Sequence, residues 1–124
     1  MSTFLSHLTL VAATDQDDGQ WVLTEPLLYS SEIAQGVITV PKGFQTDFAS
    51  TPRLPVIYWL TGNVAAKAAV VHDYLYSSGQ FPRAMADAIF REASEVIGVS
   101  WFRRWTMWLG VRIGGSSHYT PQQA

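Results

Sequence analysis

A chain of 124 residues holds one domain of ordinary size. With 48% hydrophobic and only 15% charged residues, and 5 Trp, 5 Tyr and 6 Phe, it is too apolar and aromatic to be disordered. A formal net charge of −2 argues against a general nucleic-acid binder, and the lack of cysteine excludes disulfides, thiolate metal sites and a Cys nucleophile.

The first half reads as strands and turns. In Phe4 to Thr14, Ser6 and Thr9 interrupt Leu5, Leu8, Leu10 and Val11, an imperfect alternation suited to a half-buried strand. Asp15 to Gly19 is turn chemistry, with Asp-Gly its strongest part. Trp21 to Tyr29 is a second strand, with Pro26 at an edge or bulge. Val37 to Val40 is a third, ended by Pro41, Lys42 and Gly43, and Phe44 to Phe48 a short fourth. Together they predict an antiparallel meander.

The second half reads as helices. Thr61 can cap a helix running to about Ser77, which Ser78, Gly79 and Gln80 stop. Pro82 opens the next helix, whose Met85, Ile89, Phe90, Ala93, Val96 and Ile97 form an apolar stripe, and Gly98 ends it. Trp101 to Ile113 is a third helix, followed by Gly114-Gly115 and a polar tail. Strands first and helices after predict an α+β domain over residues 1–115 with a tail at 116–124, the first two helices forming an antiparallel hairpin. The N-terminus has no basic n-region, and no apolar run approaches the ~18 residues needed to span a bilayer, so neither a leader nor a transmembrane segment is expected.

The chemistry concentrates in Val71-His72-Asp73-Tyr74-Leu75-Tyr76, where ionisable groups sit inside an apolar helix. His72 and Tyr76 share a face at i, i+4, while Asp73 points about 100° away. His72 lies seven residues before Gly79 and Asp87 eight after it, so the hairpin places them at nearly the same height. A carboxylate there fixes the imidazole tautomer and leaves the other ring nitrogen as a general base, with Asp73 available to a cation or substrate. The competing reading is a buried structural hydrogen bond.

In Gly43-Phe44-Gln45-Thr46-Asp47-Phe48-Ala49-Ser50, Asp47 either joins Asp73 in holding a hard cation such as Ca²⁺ or bonds the backbone of its own turn. Ser50 has no nucleophile elbow around it and reads as a cap. Trp101, Trp105 and Trp108 fall on one helix face, flanked by Arg104 and Arg112. That face suits a membrane interface or a protein partner; the more economical reading closes Trp105 and Trp108 over the sheet. His7 and His118 have no companions for a metal triad.

GFQTDFASTPR, a Trp, AAVVHDYLY, ADAIF and a Gly-terminated last helix, in that order over residues 36–115, resemble an uncharacterised family of small proteins encoded by tailed bacteriophages and prophages. The resemblance implies a phage origin and carries no settled activity; joined to the Trp face, it leads to the expectation of an accessory or tail-associated virion protein, made in the host cytoplasm and acting there or in the particle, with a phage or host protein as partner at that face. His72-Asp73-x-x-Tyr76 followed by Ala86-Asp87-x-x-Phe90 is also similar to the helix pair of secreted and parvoviral phospholipases of type A-two. That likeness implies a Ca²⁺-dependent hydrolase of a lipid envelope component, with His72 as base, Asp73 as Ca²⁺ ligand, Asp87 orienting His72, and Tyr76 bonded to Asp87.

Overall fold

The computed structural model describes residues 1–12, 21–46, 66–116 and 119–121. The Asp15–Gly19 turn, the Thr61 cap, Asp47, Ser50 and His118 lie outside them. Among the described residues six short strands, β1 (Thr3–Phe4), β2 (Leu10–Ala12), β3 (Trp21–Leu23), β4 (Leu27–Ser31), β5 (Gly36–Val40) and β6 (Gln45–Thr46), precede three helices, α1 (Ala66–Ser78), α2 (Arg83–Val96) and α3 (Trp101–Gly114). The fold is α+β.

The strands are antiparallel throughout and distribute over two three-stranded sheets, ordered β1-β4-β5 and β2-β3-β6. The stretch from Trp21 to Tyr29 divides between them, because Pro26 cannot donate to a ladder and the chain changes sheet beside it. The β4–β5 hairpin pairs Leu27 with Val40 and Tyr29 with Ile38. Leu27, Tyr29, Ile38 and Val40 are all buried, as a period of two requires when one face meets the core.

The helix ends fall where the sequence places them. Gly79 takes φ +63° and its N–H returns to Leu75, closing α1 in a conformation that favours glycine. Pro82 stands at the N-cap of α2, and Gly98, at φ +90°, follows its end. α1 packs on β5 and β6, α2 on β1 and β4, and α1 and α3 both pack on α2. Val70, Val71, Leu75, Ile89, Phe90 and Ala93 fill the shared core. Val96, expected on the buried stripe, is 37% exposed, since it closes the last turn of α2.

The third helix differs most from the economical reading of its tryptophans. Met107 and Val111 are its buried residues. Trp105 is exposed, and the Arg91 guanidinium of α2 lies 4.2 Å from the Trp105 ring and 5.4 Å from the Trp108 ring. The tryptophans therefore stack on a cation beside the core and do not close over a sheet.

Candidate active site

The hairpin brings His72 and Asp87 together as their equal distance from the turn requires. His72 Nε2 lies 2.7 Å from Asp87 Oδ1, and both residues are fully buried. Tyr76, one turn further along α1, donates its hydroxyl to the same oxygen at 2.5 Å. The second carboxylate oxygen accepts from Arg112 Nη1 of α3 at 2.9 Å. One carboxylate on α2 thus ties the other two helices.

The imidazole is packed as well as bonded. Its ring centre lies 4.1 Å from that of Tyr76 and 4.8 Å from that of Phe90. Arg83 extends the network: Nε donates to the Tyr76 hydroxyl at 3.1 Å, and Nη2 donates to the carbonyls of Val111 and Arg112, each at 2.7 Å. Those carbonyls belong to the last turn of α3, whose negative dipole end favours a cation. Gly115 lies against the same tyrosine. A Cβ built there would stand 2.5 Å from the Val111 oxygen and 2.9 Å from the Tyr76 hydroxyl, so any larger residue forces one of these groups to shift.

The charge states follow from these contacts. Burial opposes ionisation of Asp87, but the hydrogen bonds of His72 and Tyr76 and the Arg112 guanidinium outweigh it and hold the carboxyl below its usual range. Burial pushes His72 below its ordinary value of 6.5, against the pull of Asp87. Burial and the Asp87 carboxylate raise the Tyr76 phenol. At neutral pH the site therefore holds a carboxylate, a neutral imidazole and a phenol. An ionised carboxylate only accepts, so Nε2 carries the imidazole proton and Nδ1 is the basic nitrogen.

Asp73 occupies the neighbouring arc of α1. It is half-buried, and the Thr46 hydroxyl of β6 donates to its Oδ2 at 2.5 Å. The strand that leads into Asp47 thus touches Asp73, while Asp47 itself is outside the described residues. Among those residues no three His, Asp or Glu side chains converge to hold a metal ion. His72, Asp87 and Tyr76 are brought together; Asp73 stands beside them with Thr46.

Arg83, Arg112, Thr46 and Gly115 were not legible as site residues. Arg83 carries a signal in retrospect: a cation in the first turn of a helix faces the wrong end of the dipole and needs an acceptor elsewhere. Arg112 stands out only as a flank of the Trp face, and Gly115 only as a helix stop.

Among the described residues no helix is long and apolar enough to cross a membrane. Comparison with curated proteins and with solved structures yields no match. A family profile described as "Protein of unknown function (DUF1353)" matches residues 21–111, which include both sheets' central strands, the hairpin and Arg83. Since that match spans most of the 124 residues, the chain belongs to the DUF1353 family.

Proposed function

We propose that this protein is a small ester hydrolase of phage origin whose general base is His72, acting on a lipid component of the host envelope. The observation that carries the reading is the Asp87 carboxylate at His72 Nε2. Burial keeps the imidazole neutral, and with Asp87 kept ionised by Tyr76 and Arg112 its proton is on Nε2 and its basic electron pair on Nδ1. In the reaction, Nδ1 takes a proton from water as the water oxygen attacks the ester carbonyl carbon. The tetrahedral intermediate then expels the alcohol oxygen, to which the imidazolium returns the proton, and a carboxylic acid and an alcohol result. Asp87 stabilises the imidazolium between the two transfers.

Asp73 is the carboxylate nearest in sequence to the base and would supply one oxygen to a Ca²⁺ ion. The described residues do not make up a full ligand set, so no step is assigned to a cation. The likeness of HDxxY and ADxxF to the helix pair of type A-two phospholipases supports the lipid ester as substrate.

A second reading is favoured by the complete burial of His72. In it the protein is a non-enzymatic phage accessory or tail-associated virion protein, its Asp87 network fixes three helices, and the tryptophan face of α3 meets a phage or host protein. Hydrolysis of phosphatidylglycerol and phosphatidylcholine, with and without Ca²⁺, separates the two. The hydrolase reading expects turnover that His72→Asn lowers by roughly 10²–10⁴-fold with the fold retained. Absence of turnover, or equal turnover by the variant, overturns it.

A further inference from the structure

α3 is apolar on the side that faces away from the core. Met107 and Val111 point inward, while Trp101, Phe102, Trp105, Leu109 and Ile113 are 64%, 69%, 37%, 51% and 75% exposed. Successive residues are about 100° apart, so Phe102, Leu109 and Ile113 lie within one narrow arc opposite Met107 and Val111, with Trp105 and Trp101 on its flank. A helix apolar on both faces is ordinarily covered on both, and here the outer face meets solvent.

The charges that α3 itself carries are of one sign. α3 carries Arg103, Arg104 and Arg112 and no carboxylate, on a chain whose net charge is −2, and of these Arg112 is turned to Asp87. Arg103 is exposed on one side of the apolar arc, and Arg91 reaches from α2 to stack on Trp105 and Trp108 on the other. Glu95 is 4.0 Å from Arg104, at the margin of the helix. A second copy of the chain seated on this face would set arginines against arginines, with no carboxylate of α3 to answer them. An anionic bilayer answers both features, accepting apolar side chains at the acyl boundary and arginines at the phosphates, with tryptophan suited to the boundary itself.

We infer that the outer face of α3, from Trp101 to Ile113, is a docking surface for an anionic lipid bilayer, on which the helix lies in the plane of the interface. This inference stands on α3 and Arg91, independently of the His72–Asp87 pair. The test uses the full chain and ether-linked lipids, which cannot be hydrolysed at an ester, so that binding is read separately from turnover. Vesicles of phosphatidylcholine alone, and of phosphatidylcholine with phosphatidylglycerol, are floated with the protein, and tryptophan quenching by brominated lipid reports depth.

Association is expected with the phosphatidylglycerol vesicles, weakened by salt and weaker without the anionic lipid. Phe102→Ser with Leu109→Ser should lower partitioning at least about tenfold, and Arg103→Gln about fivefold, with melting unchanged because these side chains are exposed. Four results overturn the inference: no association with anionic vesicles, equal association with neutral ones, a double variant that partitions like the parent, or a concentration-dependent dimer that the double variant dissolves.

Discussion

Two of the carboxylates of α2, Asp87 and Glu92, are used differently. Asp87 faces the helices and, among the described residues, accepts from an imidazole, a phenol and a guanidinium. Glu92 faces the sheet. Its Oε1 accepts from the Tyr29 and Ser31 hydroxyls at 2.7 Å each, and its Oε2 from the Ile33 N–H at 3.1 Å. The Glu92 donors are neutral and belong to β4 and the turn after it, so this carboxylate joins α2 to a sheet. The Asp87 donors include an imidazole, which can take up a second proton, and a permanent cation. A carboxylate among neutral donors fixes geometry; one beside a histidine also fixes where that histidine's proton resides.

The comparison is broken most severely at Asp87. Asp87→Ala removes the acceptor of the buried His72 and Tyr76 donors and leaves Arg112 without its partner. Unfolding by urea should show a loss of about 3 kcal/mol, moderated because Arg112 is a third exposed to water. Glu92→Gln is the contrasting variant. Its amide oxygen can still accept from Tyr29 and Ser31, but its NH₂ meets the Ile33 N–H, so about 1–2 kcal/mol should be lost, with turnover and the ionisation of His72 unchanged.

The pH dependence of stability sharpens the same contrast. A folded-state value for His72 below its unfolded 6.5 means that the unfolded chain takes up the proton first. The contribution is complete above about pH 6.5 and is lost as pH falls from there towards the folded value, at up to ~1.4 kcal/mol per pH unit. Asp87, also depressed, adds a loss only at pH values below its unfolded 3.8. Urea titrations between pH 7.5 and roughly 5 should therefore show a slope that His72→Asn removes and Glu92→Gln retains.

The part of this contrast legible in the sequence is the part set by local rules. Gly79, Pro82 and Gly98 mark the helix ends, and the short turn fixes the hairpin register, so His72 meeting Asp87 follows from counting residues. The partition of strands into two sheets is not local, because β1 pairs with β4 and β3 with β6 across long stretches of chain. The rotation of α3 about its own axis is likewise set by packing. Its aromatic stripe suggests an inward face, but Met107 and Val111 turn inward, and only that rotation brings Arg112 to Asp87. Glu92 shows no pattern in sequence, since its partners lie about sixty residues away in β4 and the turn after it.

Smaller effects come from the periphery of the Asp87 network. Tyr76→Phe loses the bond to Asp87 and the acceptor of Arg83 Nε, for about 1–2 kcal/mol by thermal or urea unfolding. Gly115→Ala forces a methyl towards the Val111 oxygen and the Tyr76 hydroxyl, for about 1–3 kcal/mol, and Tyr76→Phe should relieve part of that cost by removing one of the two contacts. Trp101→Gln, on the open face of α3, should change stability by no more than about 0.5 kcal/mol.

Everything proposed for the site depends on burial holding His72 neutral and on Asp87 holding its proton on Nε2. Long-range ¹H–¹⁵N NMR of the imidazole, followed as pH is lowered from neutral, reads this directly. The Nε2–H tautomer should be present at pH 7 and should persist below pH 6.5, where an ordinary histidine is already half protonated. An Nδ1–H tautomer at neutral pH, or titration at the ordinary value, would contradict it.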